Sequence, residues 1–325
     1  MNGVLILDKP SGLTSHDVVN RVRRILNQRS VGHLGTLDPM ATGVLPLVVG
    51  NLTRLAQFYT HSEKIYEGAI RFGFSTDTYD AEGAPTSPAQ QIALQADQLE
   101  TLAARFRGII EQMPPPFSAK KIQGVPAYKL ARKQQEVELK PVQVEIKEFE
   151  ILKVEDDHAQ FRAHVASGTY MRSVAHDMGQ ALGCGAHLES LRRTAVAEFT
   201  LADAHTLEQL AQAAGNCSVE NRAAHAPPHE SSLSNQVPPL EDCFIHPRKL
   251  LPQFPCVTAD ELTTARIRAG RTVNLPDTSR ARQIKVFASQ RDLLAIATRI
   301  AGTLFHPKIV FGTEPCGTDT PVRRL

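Results

Sequence analysis

The chain has no tryptophan, few aromatic residues (6%) and no long apolar run. Its five cysteines are scattered and never form a C-x-x-C pair, which argues against a disulfide scaffold and against a zinc site. Twelve histidines are present, but none has H-E-x-x-H or comparable spacing, so no bound metal is expected. The longest apolar stretches, such as residues 44–49, are far too short to cross a bilayer, and no membrane segment is expected.

The N-terminus has no basic segment before its first apolar residues, and it reaches the acidic residue Asp8 early. This pattern predicts a first strand and not a signal peptide. Together with the unpaired cysteines it predicts a cytoplasmic protein. We also expect a monomer.

The formal net charge is only +2, but the charges are segregated along the chain. Basic residues cluster within residues 21–29, 120–133, 192–193 and 266–282, whereas acidic residues concentrate within 136–157. Such segregation can give a basic face on a nearly neutral molecule, as a phosphate-binding surface requires. Solvated helix faces explain the same clusters equally well.

Apolar periodicity predicts a mixed α+β chain with mainly antiparallel strand pairing. A helix is expected after a cap at Thr14 or Ser15, because the following apolar residues repeat with the helical period. Residues 31–43 hold three glycines and a proline and predict a loop. Other predicted strands cover residues 3–7, 44–49, 64–74, 142–154, 159–166 and 188–199, and other helices cover 52–59, 94–106, 126–134, 169–182 and 207–213.

Composition changes near residue 215 and again near residue 250. Residues 215–242 are rich in Ser, Asn, His and Pro and lack periodicity, which predicts a flexible insertion within a catalytic domain of residues 1–250. A helix at 259–268 and strands at 283–288, 293–298 and 304–310 then predict a small β-rich module. We assign this module to residues 251–316 and a tail to 317–325.

Asp38 stands in a loop, residues 32–43, whose backbone is restricted at several positions. Gly35 and Gly43 permit a positive φ or a close backbone approach, and Pro39 forces Asp38 into an extended conformation. A carboxylate held on a stiff loop beside a buried strand suits a nucleophile or an electrostatic catalyst, and it is ionised near neutral pH without a histidine to activate it. An ordinary Asp-Pro turn explains the loop alone better.

Seven segments taken together resemble one family. The loop pattern G-H-x-G-x-L-D-P-x-A-T-G-V-L-P resembles the signature of the TruB family, the bacterial tRNA pseudouridine-55 synthases. Six further segments match it in the same order, namely L-D-K-P-x-G (7–12), K-x-Y (64–66), T-D-T-x-D-x-x-G (76–83), P-P-P-x-S-A-x-K (114–121), S-G-T-Y-M-R-S (167–173) and G-A-H-L-x-x-L-R-R-T (185–194). The resemblance implies the pseudouridine synthase fold, a mixed and mainly antiparallel sheet flanked by helices.

The resemblance also implies the reaction. In the family the loop aspartate attacks the target uridine after base flipping, so Asp38 is the implied nucleophile for isomerising uridine-55 in the T-loop of tRNA. Attack at C6 of the base and attack at C1′ of the sugar both remain open. Uridine supplies every atom of the product, so no cofactor is implied. The implied partner is tRNA, bound through its T-arm.

Five further residues match residues that shape the family's active site. Arg172 matches the arginine that pairs with the aspartate, where a guanidinium lowers a carboxylate pKa and fixes its direction. Tyr66 matches the tyrosine that stacks on the target base, and His33 the histidine that occupies the space vacated by the flipped base. Tyr170 and Leu191 match residues of the uracil pocket. Each type also has an ordinary structural explanation, such as a surface charge for arginine or core packing for leucine.

Basic side chains in the matching segments are candidates for phosphate contacts: Lys9, Lys64, Lys121 and Arg132. Asp77, Asp80 and Gly83 predict a capped turn with a structural role. Leu34 and Ala197 depart from the usual family residues without removing a reactive group. The C-terminal module resembles a PUA domain, an RNA-binding fold, through R-x-R-x-G-x-x-V at 266–273.

Two other functions stay open at this point. One is a synthase of the guide-dependent archaeal and eukaryotic type, which the spacing of the loop motif disfavours. The other is an RNA-binding or RNA-folding protein for which catalysis is incidental. The joint presence of Asp38, Arg172 and Tyr66 counts against binding as the sole role.

Overall fold

The computed structural model describes residues 1–117, 121–122, 125–126, 140–220 and 239–312. Residues 127–134 of the predicted helix at 126–134, most of the predicted insertion and the predicted tail lie outside these ranges, and Pro126 lies in a short strand. Within them, no helix is long and apolar enough to cross a membrane.

A nine-stranded sheet forms the centre of the catalytic domain. Its strands are β1 (Gly3–Lys9), β2 (Val31–His33), β3 (Thr42–Val49), β4 (Lys64–Phe72), β5 (Gly108–Gln112), β8 (Val142–Glu155), β9 (His158–Val165), β10 (Ala186–Val196) and β11 (Phe199–Thr200). The order is β1-β3-β10-β4-β9-β8-β5, with β2 on β3 and β11 on β10. Every described pairing in this sheet is antiparallel except that of β3 with β10. A small hairpin, β6 (Lys121–Ile122) with β7 (Val125–Pro126), stands apart. The predicted mixed, mainly antiparallel sheet is confirmed.

Helices cover one face of this sheet: α1 (Ser15–Ile25), α3 (Ala96–Ala104), α4 (Met171–Leu182) and α5 (Leu207–Glu220). The first begins as predicted, because Thr14 and Asp17 form a capping box in which each side chain bonds the other's backbone N–H. Alternate residues of β1 face opposite sides of the sheet, so Leu5 and Leu7 pack under the helices. The helix predicted at 52–59 is a 3-10 segment, Gly50–Leu55, followed by α2 (Ala56–Tyr59).

The other face of the sheet packs against the C-terminal module. This module is a five-stranded sheet of β12 (Cys256–Thr258), β13 (Val273–Asn274), β14 (Gln283–Phe287), β15 (Leu293–Ala301) and β16 (Leu304–Val310), with helix α6 (Glu261–Arg268). Val4 and Ile6 of β1 share one apolar cluster with Phe287, Leu293 and Ile296 of the module. The β-rich module is therefore present as predicted, but it is joined to the catalytic domain through a common core.

Several predicted boundaries are wrong. Helix α5 continues to Glu220, so the first residues of the predicted insertion are helical. At the C-terminal end of the predicted insertion, Leu240 and Cys243 are buried in a 3-10 turn, Leu240–Cys243, and belong to the core. Strand β2 lies inside the predicted loop, and the two- and three-residue strands β11, β12 and β13 were not predicted. Segments this short hold too few residues for apolar alternation to be visible.

Candidate active site

Residues 34–41, between β2 and β3, form the loop that carries Asp38; we call it the aspartate loop. Gly43, just after it, has a φ of +99°, and a Cβ at this position would overlap the Arg193 carbonyl oxygen of β10. Only glycine allows this close parallel approach of β3 and β10. The approach brings the loop next to the strand that carries Leu191.

Two buried side chains hold the aspartate loop from below. The Ser15 hydroxyl accepts a hydrogen bond from the Leu37 N–H (2.8 Å) and donates one to the Leu37 carbonyl (3.1 Å). The Lys9 ammonium donates to the carbonyls of Pro39 (3.0 Å), Pro10 (2.9 Å) and Leu13 (2.6 Å). Both bonded loop residues, Leu37 and Pro39, are neighbours of Asp38 in the chain, so these bonds fix the backbone on either side of the carboxylate.

The prediction that Lys9 contacts phosphate is wrong. Its side chain is fully buried, and its three N–H groups point at protein carbonyls. Burial lowers the pKa of Lys9 to about 8, against the opposing attraction of Asp38, so the ammonium remains protonated at pH 7. Lys9 is a structural cation beneath the loop.

Arg193 is a second buried cation behind the aspartate loop. Its guanidinium donates to the carbonyls of Gly35 (3.1 Å), Thr36 (3.2 Å) and Val44 (2.8 Å). The side chain is fully buried. Sequence reasoning counted Arg193 only as part of a basic pair, because nothing in the pattern R-R shows which arginine points inward.

The structure brings Asp38 and Arg172 together. Arg172 is the second residue of α4 and its side chain is only 6% exposed, which rules out the surface-charge explanation. Its Nε lies 3.0 Å from Asp38 Oδ2, and its Nη2 donates to Asp38 Oδ1 at 3.3 Å. Two contacts from one planar group restrict the direction of the carboxylate as well as its position.

Asp80 is a partner of Arg172 that the sequence did not reveal. Arg172 Nη1 donates to Asp80 Oδ2 at 3.2 Å, and the Asp80 side chain is buried. Asp80 also forms the predicted turn, since its Oδ1 accepts from the Glu82 N–H and the Thr78 hydroxyl. It therefore has both the structural role that was predicted and a place beside the Asp38–Arg172 pair. No local pattern distinguishes a turn aspartate with such a partner from one without.

The surroundings of Asp38 raise the pKa of its carboxyl group. Burial of the carboxyl group has the largest effect and raises the pKa, Arg172 opposes it, and Asp80 adds to the increase. The expected lowering by the guanidinium is thus present but outweighed. Asp38 takes up a proton at a higher pH than an exposed aspartate does.

Asp38 lies on the wall of a cavity of about 440 Å³. All the residues predicted to form the active site line this cavity: His33, Asp38, Tyr66, Tyr170, Arg172 and Leu191, together with the predicted phosphate contact Lys64. They come from β2, the aspartate loop, β4, the start of α4 and β10. Within the described residues, no group of three or more His, Cys, Asp or Glu side chains has the arrangement of a metal site.

Two basic residues of the cavity, His33 and Lys64, have lowered pKa values. Burial and the neighbouring Arg193 lower the pKa of His33, so its ring is neutral at pH 7. Its Nδ1 accepts from the Gly35 N–H at 3.4 Å. Burial lowers the pKa of Lys64 to about 8, and its ammonium donates to the Ser62 carbonyl (2.7 Å). At pH 7 Lys64 therefore presents a positive charge at the cavity. The Lys121 side chain and Arg132 lie outside the described residues.

Comparisons with known proteins identify the family. A sequence model described as "TruB family pseudouridylate synthase (N terminal domain)" matches residues 23–171, and one described as "tRNA pseudouridylate synthase B C-terminal domain" matches residues 172–244. The chain belongs to the TruB family of tRNA pseudouridine synthases. It is 50% identical to the tRNA pseudouridine synthase B of Solibacter usitatus, over 95% of this chain and 100% of the relative. It is 36% identical to that of Azoarcus sp., over 97% and 96%.

Solved structures support the fold. The chain is similar to one in "Structure of H/ACA RNP bound to a substrate RNA containing 2'-deoxyuridine", with a TM-score of 0.67 and 22% identity, over 95% of this chain and 85% of that one. It is also similar to one in "Crystal structure of the archaeal box H/ACA sRNP Nop10-Cbf5 complex", with a TM-score of 0.65 and 23% identity, over 95% and 86%. These likenesses show the pseudouridine synthase fold that the sequence predicted.

Proposed function

We propose that this synthase isomerises uridine-55 in the T-loop of tRNA to pseudouridine, with Asp38 as the attacking carboxylate. The observation that carries the proposal is the contact of Asp38 with Arg172 on the wall of a cavity that also contains Tyr66. The full-length likeness to relatives named tRNA pseudouridine synthase B supports tRNA as the substrate. It also disfavours the guide-dependent type.

The reaction breaks the bond between N1 of uracil and C1′ of ribose and forms a bond between C5 and C1′. C5 loses its proton and N1 gains one, so the substrate and product have the same atoms. Asp38 supplies the attacking oxygen, and Arg172 directs it. Stacking of the flipped base on Tyr66 contributes roughly 1–3 kcal/mol, which offsets much of the energy needed to extrude the base. The neutral His33 ring fills the space that the base leaves in the RNA.

Positive groups around the cavity suit an RNA backbone. Lys64 presents an ammonium at the cavity, and we propose that it contacts a phosphate. The C-terminal module adds the exposed arginines Arg266, Arg268 and Arg271, which fit the proposed PUA-like role in RNA binding. A cytoplasmic location and a monomeric state remain predictions.

Release of tritium from tRNA labelled at uridine C5 tests the reaction, because the C5 proton must leave. The unaltered protein should release tritium from one site per tRNA, and a transcript with cytidine at position 55 should release none. Asp38→Asn should release none while its affinity for tRNA stays nearly the same, since the amide keeps the size but not the charge of the carboxylate.

Three results would contradict the proposal. An active Asp38→Asn protein would remove Asp38 as the nucleophile. Equal release from the position-55 cytidine transcript would move the reaction to another uridine. A requirement for an added guide RNA would place the protein with the guide-dependent synthases.

A further inference from the structure

Gln112 is buried although it stands on an edge strand. It is the last residue of β5, an edge strand of the large sheet, and the residue is only 1% exposed. Burying a primary amide is unfavourable unless its donor and acceptor both find partners. The partners of Gln112 therefore indicate what the residue does.

The Gln112 amide bonds both backbone groups of one residue of the active site. Its Oε1 accepts from the Tyr170 N–H at 2.8 Å, and its Nε2 donates to the Tyr170 carbonyl at 3.1 Å. Tyr170 is the N-cap residue of α4 and lines the cavity. Two bonds from a rigid planar amide fix both the position and the direction of this peptide segment.

The residues after Gln112 also form hydrogen bonds with the first turn of α4. The Met113 carbonyl accepts from the Ser173 hydroxyl at 2.7 Å, and the Phe117 carbonyl accepts from Arg172 Nη2 at 2.9 Å. This second atom, Nη2, is also the one that donates to Asp38. The end of β5 is thus bonded to the short segment 170–173 that carries both the Tyr170 and the Arg172 of the active site.

We infer that Gln112 is a positioning residue for the isomerisation. It holds the start of α4 so that Tyr170 forms the cavity wall and Arg172 reaches Asp38. Gln112 is not among the described residues that line the cavity, so it acts through these two residues and not on the substrate. The inference rests on the proposed function, because it assigns Gln112 to the alignment of the attacking Asp38.

Gln112→Met tests this inference, because methionine has a similar length but cannot bond Tyr170. Under single-turnover conditions we expect the rate of isomerisation to fall at least about tenfold, because small displacements of reacting groups slow a reaction by this much or more. The dissociation constant for tRNA should stay nearly unchanged. Gln209→Met is the matched control. The Gln209 side chain also accepts a hydrogen bond from a backbone N–H, that of Thr206 at 2.8 Å, but it lies at the exposed start of α5. Loss of this bond should leave the rate unchanged.

The pH dependence separates positioning from general stability. Arg172 lowers the pKa of Asp38, so a displaced Arg172 should let that pKa rise. Attack requires the ionised carboxylate, so the rate increases with pH through this pKa. The acid limb of the rate profile should therefore move to higher pH in Gln112→Met. A variant that is merely less stable would unfold at a lower temperature and keep the same acid limb.

Gln112→Asn provides a second variant if Gln112→Met does not fold. It keeps the amide but is one methylene shorter, so it cannot reach both backbone groups of Tyr170, and a lowered rate and a shifted acid limb are again expected. A folded variant at position 112 with the rate and the acid limb of the unaltered protein would overturn the inference. The proposed function would stand in that case, since it fails only if Asp38→Asn is active or uridine-55 is not the site.

Discussion

Two opposing effects act on the Asp38 carboxylate, and both come from parts of the chain distant in sequence. Burial in the cavity wall disfavours the charged form, and the negative Asp80 adds to this effect. The Arg172 guanidinium favours the charged form through its contacts of 3.0 and 3.3 Å. Their balance fixes the pH below which the carboxylate is protonated.

Arg172→Met should move the acid limb of the rate profile to higher pH. The substitution removes the group that lowers the Asp38 pKa and leaves burial and Asp80, which raise it. Because the reactive form is the carboxylate, activity is then lost at a higher pH as the solution is acidified. At the pH optimum the rate should also fall about 100-fold or more, because the carboxylate is no longer directed. Single-turnover rates measured across a pH series check both effects.

Arg71→Met is the control for Arg172→Met. Arg71 pairs with Asp157 at 3.0 Å, far along β4 from the cavity, and its side chain is 40% exposed. Its loss should leave the profile in place. An acid limb that does not move in Arg172→Met would show that the limb reports a group other than Asp38.

The first turn of α1 carries two adjacent hydroxyl side chains with different roles. Thr14 caps the helix, accepting from the Asp17 N–H at 3.0 Å, and it is exposed. Ser15 is buried and bonds both backbone groups of Leu37, directly before Asp38. The sequence left open which of the two is the cap. In the structure Thr14 is the cap, and Ser15 bonds the aspartate loop.

Ser15→Ala and Thr14→Ala should therefore separate catalysis from stability. Each should lower the free energy of unfolding by about 1–2 kcal/mol, Thr14→Ala through the lost cap and Ser15→Ala through the unsatisfied Leu37 groups. Only Ser15→Ala should slow single-turnover isomerisation, because only it frees the backbone beside Asp38. Urea unfolding and rate measurements on both variants check this, and a Thr14→Ala protein slowed as much as Ser15→Ala would contradict it.

What the sequence predicted well depends on short-range patterns. Long strands such as β8 and β9 show apolar alternation, and α1 shows the apolar helical period after a hydroxyl cap residue, so these elements were recognisable. Asp38, Arg172 and Tyr66 were found through family resemblance, while local reasoning favoured a plain Asp-Pro turn. Asp80, Gln112 and Ser15 were not assigned to the active site, because their partners lie in remote segments that only the sheet order brings together.

The catalytic domain and the C-terminal module are joined by hydrogen bonds and by a common apolar core. The Tyr59 hydroxyl donates to Glu198 Oε1 at 2.6 Å, and the Leu251 N–H donates to the same oxygen at 2.8 Å. Tyr59 also lines the active-site cavity. Leu250 and Leu251, at the predicted domain boundary, are buried in the cluster that contains Val4 and Ile6. Removing residues 251–325 would therefore expose the apolar back of the catalytic sheet, and a truncated protein does not isolate the module's role in RNA binding.

Charge removal on the surface of the intact module isolates that role. Arg266, Arg268 and Arg271 are exposed at and just after the end of α6, so replacing all three by alanine leaves the shared core unchanged. If each contacts a phosphate, the slope of log affinity against log salt should become shallower by roughly 2–3, and affinity at low salt should fall. Isomerisation at saturating protein should keep its rate, because none of the three lines the cavity among the described residues.

Filter binding of labelled tRNA over a series of salt concentrations gives the slope. Replacing Arg105, Lys153 and Arg162 by alanine removes the same number of exposed charges from the catalytic domain, away from the cavity lining among the described residues, and controls for loss of positive charge as such. An equal change of slope in both proteins would mean that the module has no special part in binding. A slowed reaction at saturation in the arginine variant would mean instead that the module acts on the cavity through the shared core, along the path that Tyr59 and Glu198 provide.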